Sequence, residues 1–292
     1  MIPFLKMEPL SVRLLPVLLF VSASSFAAEP DKDGYRLVWA DEFEKDGQPN
    51  PAKWTYEQGF VRNNELQWYQ PENASCSNGL LVIEAKRERK ANPGFEPESR
   101  DWRRSRREIE YTSACLITRG LQSWQYGRFE IRARIQARKG LWPAIWFLGV
   151  EGRWPYNGEI DLMEFYGGEI LANACWGGEQ RNVPVWDTVR KPVASFEDPE
   201  WDREFHVWRM EWDENRIALY VDNLLLNTID QHAAVNPKGL NGPEYPFRQP
   251  HYLLINLAIG GSNGGDPADT PFPARFEVDY VRVYRRVEAD EN

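Results

Sequence analysis

The cleanest alternation of apolar and polar residues runs over 127–135, where Phe129, Ile131, Ala133 and Ile135 fall on one face and Glu130, Arg132 and Arg134 on the other. A period of two over that length predicts a half-buried antiparallel strand. Segments 35–39, 80–85, 205–212, 216–222, 252–259 and 276–284 follow the same style, separated by Asn, Gly, Pro and Asp turns. The link at 213–215 is short enough for a hairpin. No stretch sustains an apolar period of 3.6 with caps over several turns, so helices should be minor. The expected fold is all-β, a sandwich of two antiparallel sheets. Residues 29–292 carry no internal repeat and no dividing linker, and read as one domain. The least strand-like region, 87–108, contains Arg100, Arg103, Arg104, Arg106 and Arg107. It reads as a solvated hairpin loop or, more sharply, as a basic lip for an acidic or sulfated polymer.

One stretch breaks the alternation. Residues 158–165 (GEIDLMEF) pack three carboxylates and four apolar side chains into eight positions. On a strand, Glu159 and Asp161 share a face while Ile160 and Leu162 share the other. Glu164, five positions after Glu159, would point into the core unless one extra residue at Leu162–Met163 forms a β-bulge. The plain alternative is a solvated strand face that happens to be acidic. Against it, Asp and Glu are poor strand formers, and three like charges on one face repel.

Composition changes the picture in four ways. The first 28 residues carry Lys6 and Arg13, an apolar run over 14–21 and small residues ending at Ala27–Ala28, the three-part build of an export signal cleaved after Ala27 or Ala28. The apolar run is too short to cross a bilayer, and no later segment reaches about 18 apolar residues. A secreted or periplasmic protein with no membrane span is therefore expected. The net charge of −9 disfavours nucleic acid as a partner. Cys76, Cys115 and Cys175 allow at most one bridge; Cys76–Cys115 is the pair if their strands form a hairpin, and buried free thiols are the other outcome. Aromatic residues make up 13% of the chain, enough either to pack a core or to stack on sugar rings as well.

Two Glu residues reaching one point from a single strand suit glycoside hydrolysis with retention, where the carboxyl groups sit roughly 5 to 5.5 Å apart. One attacks the anomeric carbon and the other protonates the leaving oxygen. An intervening Asp hydrogen-bonds the nucleophile, and its negative charge raises the neighbouring carboxyl pKa. Other schemes lack their parts. His206, His232 and His251 are far apart and show no zinc-binding spacing, and neither a Gly-x-Ser-x-Gly elbow nor a phosphate loop is present. The glycine-rich run 260–265 leads into Pro267 and reads as a loop.

Residues 158–164 (GEIDLME) resemble the signature of glycoside hydrolase family 16, endo-acting enzymes that include laminarinases, lichenases, agarases and carrageenases. The resemblance extends through 39–43 (WADEF), 63–69 (NNELQWY), 111–114, 126–130, 140–146 (GLWPAIW), 249–261 and 278–284, and is greatest to the laminarinase-type branch. It implies a β-jelly-roll with a concave sheet forming an open polysaccharide cleft, a single catalytic domain acting as a monomer, and no cofactor for catalysis. It places the nucleophile at Glu159, its assisting acid at Asp161 and the acid/base at Glu164. Cleft aromatics fall on Trp142, Trp146 and Trp154, and a polar contact at the negative subsites falls on Asn63. Many laminarinase-like members carry a His-Trp pair on the next strand, with the His facing the sugar. Cys175 and Trp176 stand there instead, so Cys175 should face the sugar and admit a different or substituted one. The family's structural calcium maps to Glu42 and Asp279, a minority of the oxygens calcium takes. The implied substrate is a β-1,3 or mixed β-1,3/1,4 glucan. Galactose-based or sulfated polymers, and a non-catalytic sugar-binding sandwich, remain as alternatives.

Overall fold

A computed structural model describes residues 31–287; the expected export signal lies outside the described residues. In chain order the strands are β1 Tyr35–Asp41, β2 Thr55–Tyr56, β3 Gln67–Tyr69, β4 Ala74–Ser77, β5 Leu80–Ala91 and β6 Glu108–Ser113. They continue with β7 Cys115–Ile117, β8 Gly127–Arg134, β9 Leu141–Gly149, β10 Glu159–Tyr166, β11 Glu169–Gly177 and β12 Pro184–Pro192. The last five are β13 His206–Trp212, β14 Arg216–Val221, β15 Leu224–Asp230, β16 His251–Ile259 and β17 Ala274–Arg286. Two four-residue helices, α1 Trp102–Ser105 and α2 Gly261–Gly264, complete the α content of the described residues.

These strands form two sheets. A 10-stranded sheet runs β15-β14-β13-β8-β17-β5-β6-β3, with β1 on β17 and β4 on β5. A 7-stranded sheet runs β12-β11-β10-β9-β16-β7-β2 and carries the cleft. All pairs are antiparallel except β3 with β6. The alternation read at 127–135 does what it predicts. Phe129, Ile131 and Ala133 of β8 are buried between the sheets, and Phe129 meets Phe147 of β9 edge-to-face with ring centroids 5.2 Å apart. Strand β16 has no exposed position, because one face meets the core and the other is roofed at the cleft. A second apolar cluster, Tyr69, Cys115, Ala144, Trp146, Tyr252 and Leu254, sits on that outer face.

Four expectations are changed by the fold. The 87–108 region is structured, with β5 running to Ala91 and α1 capped by Asp101 accepting from Arg103 N. Three of the five arginines over 100–107 are held by the protein rather than free as a basic lip. Arg103 donates to Val61 O at 2.7 Å, Arg106 to Asn64 O at 2.8 Å and to Glu65 O, and Arg104 pairs with Glu96. Cys76 and Cys115 are not bridged: β4 and β7 belong to different sheets, and all three cysteines are buried free thiols. The 260–265 run closes one helical turn over Gly261–Gly264 rather than an open loop. Finally, Glu42 and Asp279, the expected calcium ligands, each pair with an arginine. Arg282 holds Glu42 through two bonds of 2.8 Å and Arg132 holds Asp279 at 2.6 Å, so both carboxylates are neutralised by guanidinium groups. No cluster of three or more His, Cys, Asp or Glu suited to a metal occurs among the described residues.

Candidate active site

Strand β10 forms the floor of a cleft of about 840 Å³. Against β9, Asp161 pairs with Trp146 and Met163 with Ile145, so two steps on β10 match one on its neighbour. Against β11, Asp161 pairs with Asn173 and Glu164 with Leu171, three steps against two. This is a β-bulge at Leu162–Met163, where the parity of the sequence requires one. Leu162 and Met163 are both fully buried in the core, which turns Glu164 back to the face of Glu159. Glu159 and Glu164 line the cleft, while Asp161 between them is 1% exposed.

Each carboxyl is held by named donors. Trp154 Nε1 donates to Glu159 Oε2 at 2.5 Å, and Trp142 Nε1 to Glu164 Oε1 at 2.9 Å. Asn173 Nδ2 bridges the other two, to Asp161 Oδ2 at 3.2 Å and Glu164 Oε2 at 3.0 Å. Burial raises all three pKa values because it disfavours the charged form. For Glu164 burial and the charge of Glu159 outweigh the hydrogen bonds from Trp142 and Asn173, pushing its pKa up to about 7. Asp161 is raised well above the carboxylate range by burial and then by the charges of Glu164 and Glu159. Glu159 rises by burial, opposed by hydrogen bonds from Trp154 and Asp161. Asp161 shares a hydrogen bond with Glu159 that opposes the rise there, and Glu164, with its pKa pushed up to about 7, can both hold a proton and give it up near neutral pH. A carboxylate and a carboxylic acid facing one cleft are the parts of nucleophilic and general-acid catalysis.

The aromatics divide by role. Trp154 is 48% exposed and Trp146 7%. Trp146 Nε1 donates to Asn256 Oδ1 at 2.7 Å, and the Arg62 guanidinium lies 4.9 Å from its ring centroid while pairing with Glu57. Asn63 also lines the cleft. It adopts a left-handed φ of 54°, a conformation Asn tolerates, and Ser262 N and Oγ each bind its carbonyl at 2.9 Å. The arginines of the 87–108 region and the turn α2 therefore clamp the 61–65 segment at one end of the cleft. Asn63 Nδ2 donates to Glu65 Oε1 at 3.2 Å, and burial raises the pKa of Glu65.

Cys175 is the exception among the expected cleft residues. It pairs across the sheet with Glu159, yet has no exposed surface and does not reach the cleft. Its thiol pKa is raised by burial, so it stays neutral. The place where the resemblance puts a sugar-facing His is sealed.

Asn173, Asn256, Arg62, Glu65, Trp186, Thr188 and Arg190 also line the cleft and were not singled out by the sequence. Asn256 had a signal, as the one polar residue inside the apolar run 252–259. Asn173 had a weaker one, sharing parity with Cys175.

Replacing Trp154 with Phe keeps the apolar surface and removes the hydrogen bond that lowers the pKa of Glu159. The acid limb of kcat/KM is expected to move up by about half to one pH unit, discounting for the exposure of Trp154. A pH–rate profile of W154F with an unmoved acid limb would show that this bond does not tune Glu159.

A two-sheet β-sandwich that turns two glutamates to one cleft with a buried aspartate between them has the parts of a glycoside hydrolase, acting on O-glycosyl bonds. Residues 63–282 match the model of glycosyl hydrolases family 16, and the chain belongs to that family. It is 38% identical to a beta-glucanase from Rhodothermus marinus, over 98% of this chain and 99% of the relative. The solved laminarinase from Rhodothermus marinus superposes with a TM-score of 0.70 at 39% identity, covering 87% of this chain and 98% of that one. A structure from work on endo-acting O-glycanases with which human gut bacteria initiate mucin breakdown superposes with a TM-score of 0.79 at 32% identity, covering 89% and 94%.

Proposed function

We propose that this protein is an exported, endo-acting enzyme that hydrolyses internal β-1,3 or mixed β-1,3/1,4 linkages of glucans with retention. The observation that carries this reading is the bulged β10, which turns Glu159 and Glu164 to one cleft with Asp161 bonded between them. In the proposed mechanism Glu159 attacks the anomeric carbon, forming a glycosyl-enzyme, while Glu164 protonates the departing oxygen. Glu164, now ionised, then takes a proton from water that attacks the same carbon, which restores Glu159. Asp161 gives its hydrogen bond to Glu159, while burial and the charge of Glu159 hold the proton on Glu164. A cleft of about 840 Å³ that spans from Asn63 to Trp186 suits binding in the middle of a polymer. No metal or cofactor enters these steps. Export rests on the three-part build of residues 1–28.

A second reading has its own support. The missing His at the Cys175 position and 30% identity, over 86% of this chain, to a keratan-sulfate endo-1,4-beta-galactosidase from Sphingobacterium multivorum favour a chain built on galactose rather than glucose. Incubating the protein with laminarin, mixed-linkage glucan, agarose, carrageenan, keratan sulfate and mucin O-glycans, and profiling the products, decides between them. Internal cleavage of the glucans supports the first reading. Cleavage of the galactose-containing polymers alone removes it in favour of the second.

A further inference from the structure

The catalytic carboxyls and the expected aromatics make no use of β12, the outermost strand of the cleft sheet. Its alternation is set from behind. Asp187 turns toward the other sheet, where Asn227 Nδ2 of β15 donates to Asp187 Oδ1 at 3.1 Å and to Ala172 O at 3.0 Å. Trp186, Thr188 and Arg190 consequently share the cleft face. Trp186 pairs with Cys175, which pairs with Glu159, so the Trp186 backbone lies two strand spacings, about 10 Å, from that of Glu159. Cys175, between them on the same face, has no exposed surface, so Trp186 is the next exposed side chain of that row after Glu159.

Trp186 is 44% exposed, although an indole on an edge strand would gain by being covered. Beside it stand a hydroxyl and a guanidinium. Arg190 reaches Glu169 only at 3.4 Å, a long contact that leaves N–H groups for other acceptors. A flat apolar face edged by donors matches a pyranose, which has an apolar face and a rim of hydroxyls.

We propose that Trp186, with Thr188 and Arg190, forms a sugar-binding subsite on the leaving-group side of the scissile bond, with Trp186 stacked on the ring. The choice of side rests on the function proposed above, in which Asn63, toward the β16 side of the cleft, faces the negative subsites.

The test compares two substrates drawn from the polymer that the panel selects: a hexasaccharide, and the aryl glycoside of the matching trisaccharide, whose leaving group carries no further sugars. W186A should lose about tenfold more kcat/KM on the hexasaccharide than on the aryl glycoside, chiefly through KM. W186F, which keeps a flat ring, should recover most of that difference. Equal losses on the two substrates, or no loss on either, overturn the subsite while leaving the glycosidase reading intact. A wild type that turns over neither substrate overturns both.

Discussion

Glu159→Gln is expected to abolish turnover, by at least about 10³-fold in kcat, while the protein still folds and binds an oligosaccharide of its substrate. Gln matches Glu in size, and its carbonyl still accepts from Trp154 Nε1, so the cleft keeps its shape. What is lost is the negative charge that attacks the anomeric carbon. Titration calorimetry should give wild-type affinity or tighter, because the repulsion among three carboxyls has been relieved. The smaller variant Glu159→Ala separates nucleophile from bystander. With azide present it should form a glycosyl azide of inverted, α configuration, since azide enters from the face that Glu159 vacates. Full activity in E159Q would refute the assignment, and so would an α-glycosyl azide formed by a variant of Glu164 rather than of Glu159.

Glu164→Gln should lower kcat on natural glycans by about 10²- to 10⁴-fold, and much less on aryl glycosides whose leaving groups depart without a proton. The pH dependence gives a second readout. With a pKa pushed up to about 7, Glu164 is protonated below neutrality and loses its proton above it, so wild-type activity should fall on the alkaline side near pH 7. That limb should be missing from the residual activity of E164Q.

Stability follows with a definite sign. A carboxyl whose folded pKa is raised contributes stability below its unfolded pKa, about 4.5, and that contribution is lost as pH rises through about 7. E164Q should therefore match the wild type near pH 4 and exceed it at pH 8 to 9, by about 1–3 kcal/mol. Urea melts at the two pH values check this. Equal stability at both would mean that Glu164 does not carry the raised pKa. The enzyme thus holds its acid at the expense of alkaline stability, as expected where like charges are gathered for chemistry.

The fold was legible because its signals are local. Alternation over 127–135 gave β8 to within a residue, and the segments at 35, 80, 216, 252 and 276 each proved to be strands. The bulge was legible too, since Glu159 and Glu164 cannot share a face without an extra residue between them. By contrast, the disulfide expectation failed because pairing depends on which sheet each strand joins, and Cys76 and Cys115 join different ones. The arginine partners of Glu42 and Asp279 were hidden for a similar reason. Arg282, 240 positions from Glu42 in sequence, is its neighbour across β1 and β17.

The acids show where the division falls. Their identity, spacing and common face follow from eight consecutive residues, since side-chain direction on a strand is a property of the local backbone. Their division of labour does not. Trp142, Trp154 and Asn173 reach them from β9, a loop and β11, and burial by the whole sandwich raises their pKa values. The sequence alone determined that three acids meet at one cleft in a β-sandwich. Only the tertiary structure decided which of them holds a proton, that Cys175 is sealed, and that Trp186 stands in the cleft beside it, because solvation and cross-strand neighbours are set by residues far apart in the chain.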